Sequence, residues 1–258
     1  MRKLFAFTLA LCLASFPVLA LAQAESEPSA LNRAGEQRML SQRIAKLYSQ
    51  IGLNILPSPA TEQLNAASAR FERNLAALKP AASSAKAAAA FVRLETEWLG
   101  LKKAVAVAIS REAAQALTGQ AEATLAAAEV LTSVFAQENP QIDSRAVNLA
   151  GRQRMLSQRI ANNYLLRSWG VESSAVRENL ASSARDFSAG LAKLRAREDN
   201  SAEIRSELEE VAQQWEWLQA SLSVEGASFY RVIVAESADA LLEATDRVTR
   251  LFEQQSRR

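Results

Sequence analysis

Residues 32–48 read NRAGEQRMLSQRIAKLY, and residues 148–164 read NLAGRQRMLSQRIANNY. Thirteen of the seventeen positions are identical at a constant offset of 116. Leu40, Ile44, Leu47 and Ile51 recur with helical spacing, so the stretch is predicted to be an α-helix with that row toward a core. Away from it the two halves agree only in pattern. Phe71, Leu75 and Leu78 are matched by Phe187, Leu191 and Leu194 at the same offset, Trp98 roughly by Trp215, and Phe135 by Phe252. A duplicated fold needs only similar apolar spacing. A recent duplication would have left similarity spread over both halves, so near-identity confined to one helix points to a local site that both copies require.

The rest of the chain is rich in Ala, Leu, Glu, Gln and Arg, with only 8 Gly and 6 Pro in 258 residues, and it reads as helix. Four helices are predicted per half: 29–53, 59–79, 83–108 and 111–138, then 144–168, 173–197, 201–222 and 228–256. Ser58 is placed to cap a helix opening with Pro59 and carrying Glu62 in its first turns, and Pro80 to close it. Asn139-Pro140 ends the first half, Asp143 or Ser144 caps the next helix, and Gly170 and Gly226 mark turns. Short loops between long helices favour antiparallel neighbours. The expected fold is all-α, two up-down four-helix bundles related by internal duplication, over 25–139 and 140–258, with the aromatic residues as core filling.

Residues 1–24 read as a secretory signal peptide: Arg2 and Lys3, an uncharged run from Leu4 to Ala22, then A-x-A cleavage patterns. That run is also just long enough to cross a bilayer if it is kept as an anchor. Cleavage makes the protein periplasmic. It removes two of the 30 basic residues and none of the 28 acidic ones, for a net charge of zero. No basic face points to nucleic acid. The chain has no His, and its one cysteine, Cys12, leaves with the leader. No thiol nucleophile, disulfide, imidazole base or imidazole metal ligand remains, and no Gly-rich phosphate loop is present. Glu95/Glu97, Glu207/Glu209/Glu210 and Asp239/Glu243 read as solvated helix faces. Neither an enzyme nor a cofactor is expected. With no later apolar span, output is expected to need a membrane-bound signalling or transport partner.

One row of the repeated helix is unusual for a solvent face. Ala34, Arg38, Ser41, Ala45 and Tyr48 reappear as Ala150, Arg154, Ser157, Ala161 and Tyr164, with Gly35 and Gly151 beside the row and Asn32 and Asn148 a turn earlier. Small side chains let another helix come close, and an arginine desolvated there needs a negative partner. If the halves pack through these helices, Arg38 and Arg154 face each other. Two guanidiniums 4 Å apart repel by about 4 kcal/mol at an effective dielectric of 20. An anion between them turns repulsion into two attractions, and the planar fork of arginine suits a planar oxyanion such as nitrate. Gly35 and Gly151 would admit backbone contacts, and Met39 and Met155 a polarizable wall. The plain alternative pairs each arginine with a glutamate on a neighbouring helix. Arg43 and Arg159, present in both copies, either support the site or form surface ion pairs, and the second reading is preferred. Glu36, opposite Arg152 in the second copy, falls about 200° round the helix from Arg38, off the ligand face.

The pattern N-x-A-G-x-Q-R-M-L-S-Q-R-I-A resembles the signature of the PilJ-type sensory domain, found at the N-terminus of type IV pilus chemotaxis transducers. It is also similar to the P-box of nitrate/nitrite sensor kinases. Two such bundles in one chain resemble the NIT domain of nitrate-responsive antiterminators. The resemblance implies one nitrate between two bundles, held by an arginine of each motif helix: Arg38 and Arg154 here, with Gly35 and Gly151 as backbone contacts. The function expected is a periplasmic binding or sensory protein for nitrate or nitrite. The alternatives are a ligand-free helical module that docks a membrane chemotaxis, pilus or sensor-kinase partner, and a homodimer building two composite sites.

Overall fold

The computed structural model describes residues 29–138, 144–171, 173–222 and 228–256, with the main chain alone at Ser144 and Ser228. These residues form α1 (Ala30–Gly52), α2 (Pro57–Leu78), α3 (Ala85–Val105), α4 (Arg111–Glu138), α5 (Ser144–Ser168), α6 (Ser174–Arg195), α7 (Ala202–Leu222) and α8 (Ser228–Gln255), with no strand among them. Serines open several of the helices. Ser29 Oγ accepts from Asn32 N, Ser84 Oγ from Ala87 N, Ser110 Oγ from Ala113 N and Ser201 Oγ from Ile204 N, each meeting one of the first-turn amides a helix leaves unpaired. The turn at Gly170 is present, with φ +86°. The leader, the Asn139-Pro140 boundary, Asp143 and Gly226 lie outside the described residues.

One helix start differs from expectation. α2 opens at Pro57, two residues before Pro59, and Ser58 lies inside the helix. Asn54 and Leu56 take left-handed backbone angles, φ 57° and 44°, which swing the chain round into a proline at the first helical position. Proline is suited to that place because the amide it lacks would have had no helical partner.

α1 packs against α2 and α4, and α5 against α6 and α8, while α3 lies on α4 and α7 on α8. In each half an aromatic pair fills the core: Phe71 stacks on Trp98 at 4.1 Å between ring centres, and Phe187 meets Trp215 at 4.5 Å. Such pairs contribute about 0.5–1.5 kcal/mol beyond the area they bury. Trp98 and Trp215 are thus equivalent at an offset of 117, as are the residues of α4 and α8.

The two bundles meet through α1 and α5. These helices run parallel and nearly in register: Arg38 lies near Asn148, Arg43 near Gln158, Ser49 near Asn162 and Gly52 against the Trp169 ring. Every residue from 31 to 50 except Arg33 and Arg43 is buried. The motif helix is therefore central and enclosed all round, not an amphipathic wall with one wet side. Its polar side chains find partners inside: Gln37 Nε2 donates to Phe71 O, Gln42 Nε2 to Ala121 O, and Gln158 Nε2 to Ala238 O. Burial of amides is tolerable only on those terms.

Candidate functional site

Parallel packing brings Arg38 and Arg154 to one level. Both are buried, at 1% and 2% exposure. A Cβ placed on Gly151 would stand 3.3 Å from Arg154 Nη2 and 3.4 Å from Arg38 Nη2. One on Gly35 would stand 3.0 Å from Arg38 Nη2 and 3.9 Å from Arg154 Nη2. Both guanidiniums thus border the same two glycines, which leave room for them because they carry no side chain. Ser41 and Ser157 donate their hydroxyls to the Arg38 and Arg154 carbonyls, the same bond in both copies.

Each arginine is also held by a carboxylate of its own half. Arg38 Nη1 lies 2.7 Å from Glu129 Oε2, and Arg154 Nη1 lies 2.7 Å from Asp246 Oδ1. Convergence and carboxylate pairing, set against each other in the sequence reading, occur together. The carboxylates occupy the outer Nη1 atoms, and the Nη2 atoms turn inward. Neither acid serves one arginine alone: Arg152 is 4.0 Å from Glu129, and Arg250 is 3.0 Å from Asp246. Arg152 is nearer to Asp186, at 3.3 Å, and Glu253 stands at the edge of the group, so four arginines meet four carboxylates and the outer charges balance.

Burial pushes the Arg38 pKa below its ordinary value; Glu129 opposes the fall, and Arg154 and Arg152 add to it. Burial alone would raise the Asp246 carboxyl, but Arg154 and Arg250 outweigh it and hold the group below the usual range. Donors at the junction remain unmet. Among the described residues, Arg154 Nε is buried without a hydrogen-bond partner, and Arg38 Nη2 reaches the Asn148 carbonyl alone, at 3.5 Å. An unpaired buried donor costs about 1–3 kcal/mol.

The other residues singled out from the sequence divide. Asn32 is at the junction, its Oδ1 accepting from Arg154 Nη2 at 2.7 Å. Asn148 borders it through its backbone carbonyl, while its buried side-chain Oδ1 has no partner among the described residues. Met39 lines a cleft of about 360 Å³ between α1, α2 and α8, beside Asp246, and Met155 is buried. Glu36 points away from the junction to α2, where it pairs with Arg70 and accepts from Asn74 Nδ2.

Arg43 and Arg159 are not surface pairs. Both are largely enclosed and clamp one half to the other: Arg43 Nη1 to Asp239 on α8, and Arg159 through two nitrogens to Glu122 on α4. Asp239 therefore does not belong to a solvated face. It also takes Lys46 Nζ at 2.6 Å. Lys46 is fully buried, and that burial lowers its pKa from 10.5 to about 8, with Asp239 resisting and Arg43 assisting. The reciprocity of the Arg43 and Arg159 clamps is the signature of a two-fold interface, here within one chain.

The PilJ family model, described as the type IV pili methyl-accepting chemotaxis transducer N-terminal domain, matches residues 19–124 and again 138–250. The chain belongs to the PilJ family. Its two PilJ copies make it a tandem sensory domain of the signal-transduction type, and the family is one of sensing, not catalysis. No curated protein and no solved structure matches it. Among the described residues, no helix is long and apolar enough to cross a membrane, and no group of His, Cys, Asp and Glu could hold a metal ion.

Proposed function

We propose that this tandem PilJ protein senses nitrate or nitrite in the periplasm, bound between its two motif helices by Arg38 and Arg154. The leader, residues 1–24, is removed on export, and the bundles over 25–139 and 140–258 form the two walls of the site. One observation carries the reading: two buried guanidiniums converge, inner nitrogens first, on the same pair of glycines. Like charges held together out of water are costly. The buried Arg154 Nε, without a hydrogen-bond partner among the described residues, supports the reading, because it leaves a donor for an anion to meet. A small planar anion would supply acceptors for both forks at once. Gly35 and Gly151, with Asn32 and Asn148, border it, and Met39 and Met155 flank the arginines in sequence. Binding would shift the packing of α1 against α5, and a membrane-bound signalling partner would read the shift.

The carboxylates favour a second reading, in which Glu129 and Asp246 satisfy the arginines and the protein docks a partner with no ligand. Titration calorimetry of the purified protein with nitrate, nitrite, formate and chloride separates the two. Saturable heat with nitrate or nitrite and none with chloride is expected. A folded protein giving no heat with any of the four would overturn the anion reading.

A further inference from the structure

The two arginines differ in what their inner nitrogens touch. Arg154 Nη2 donates to Asn32 Oδ1 at 2.7 Å. The other end of the same amide, Asn32 Nδ2, donates to Glu253 Oε2 at 2.6 Å. Glu253 Oε1 in turn accepts from the backbone amide of Ser29, also at 2.6 Å. A buried relay thus runs from the junction to a clasp between the start of α1 and the end of α8. Both of its linking side chains are enclosed, Asn32 at 5% and Glu253 at 6% exposure. Among the described residues, the other half shows no such relay. Asn148 Oδ1 is without a partner among the described residues, and Ala136 stands at the position equivalent to Glu253.

We infer that Asn32 is a positioning residue that couples the arginine junction to the α1–α8 end clasp, and that the Arg154 side alone transmits. The coupling to a ligand rests on the anion-binding reading above; the relay itself does not. Asn32 is held at one end by a cation and at the other by an anion, each a charge-assisted bond. An anion at the junction is a stronger acceptor than an amide oxygen and takes Arg154 Nη2 from it. The amide is then free to turn, and the Ser29–Glu253 clasp loosens. By linkage, a clasp that opposes the anion is weakened by it to the same extent.

Amide hydrogen exchange at Ser29, Asn32 and Arg33 tests this on the full chain. Without ligand, Arg154→Lys removes the Nη2 bond to Asn32 and should speed exchange there about tenfold. Arg38→Lys, equally buried and equally central, should leave these amides unchanged. Equal acceleration by both variants, or none in Arg154→Lys, would overturn the relay. With nitrate, the same amides should exchange faster in the native protein and not in Asn32→Ala. Glu253→Gln should tighten nitrate binding about tenfold in the native background and have no effect in Asn32→Ala, as coupling through one residue requires. Nitrate heat with unchanged exchange would sink the ligand coupling and leave the anion reading standing. Absence of heat would sink the anion reading, and the two lysine variants would still decide the relay.

Discussion

The first and second halves of the molecule share a skeleton and differ in their charges, and the differences are not scattered. Where both halves face the same junction, they agree: Arg38 with Glu129 repeats as Arg154 with Asp246, and Arg43 with Asp239 as Arg159 with Glu122. Where each motif helix faces its own neighbour, chemistry is exchanged. Glu36 pairs with Arg70 in the first half, and at the equivalent positions Arg152 pairs with Asp186, the same bridge with its signs reversed. Where α1 faces α8 and α5 faces α4, one half has Lys46 on Asp239 and the other has Asn162, which bonds Thr118 and Ser49. An ion pair needs opposite charges and not a particular order of them, so the outer bridges can invert. A junction built from two converging cations cannot.

Three experiments press on that contrast. The largest effect should come from Lys46. Its folded pKa of about 8 lies below its ordinary 10.5, so the folded protein sheds this proton first. Between those values the unfolded chain binds more protons, and stability should rise with pH, by at most about 1.4 kcal/mol per unit. Lys46→Asn, which copies the second half into the first, should flatten the profile in denaturant titrations between pH 8 and 10.5. Superimposable profiles would mean that the two halves do not differ there.

The inverted bridge should be unequal under reversal. Glu36 is buried and Arg152 is 41% exposed on its side chain. Glu36→Arg sets a guanidinium against Arg70 and strands Asn74, at a cost of about 3 kcal/mol or more. Arg152→Glu should cost less than about 1 kcal/mol. Adding Arg70→Asp to Glu36→Arg should recover part of the loss. Equal midpoints for the two single variants in urea would break the distinction.

The glycines should show the smallest difference. Alanine in a helix interior gains about 1 kcal/mol over glycine, while overpacking costs about 1–3 kcal/mol. At Gly35 the added methyl meets Arg38 Nη2 at 3.0 Å, and at Gly151 its nearest neighbour is at 3.3 Å. Gly35→Ala should be net destabilising and Gly151→Ala close to neutral by thermal unfolding. The opposite order would show that the junction gives way on the first side and not on the second.

The helices, most of their ends and the meeting of the two arginines were legible in the sequence, because apolar period, serine caps and a duplicated motif are local signals. Glu36 could be turned away from the junction by helix geometry alone. The carboxylates could not be found that way. Glu129 and Asp246 lie 91 and 92 residues from their arginines, on helices whose acids look like solvent faces. A signal did exist: acids recur at an offset of 117, Glu122 with Asp239 and Glu129 with Asp246. Matching acids across the repeat, as the motif was matched, would have picked out all four. The start of α2 was out of reach for another reason. A leucine in left-handed backbone is a choice made by packing, which propensity does not report.

The central claim is one anion shared by two halves. Calorimetric stoichiometry with nitrate tests it most directly, on the native protein and on Arg38→Ala and Arg154→Ala separately. The account predicts one nitrate per chain, and its complete loss in either variant. Two nitrates per chain, or full binding retained by one variant, would contradict it.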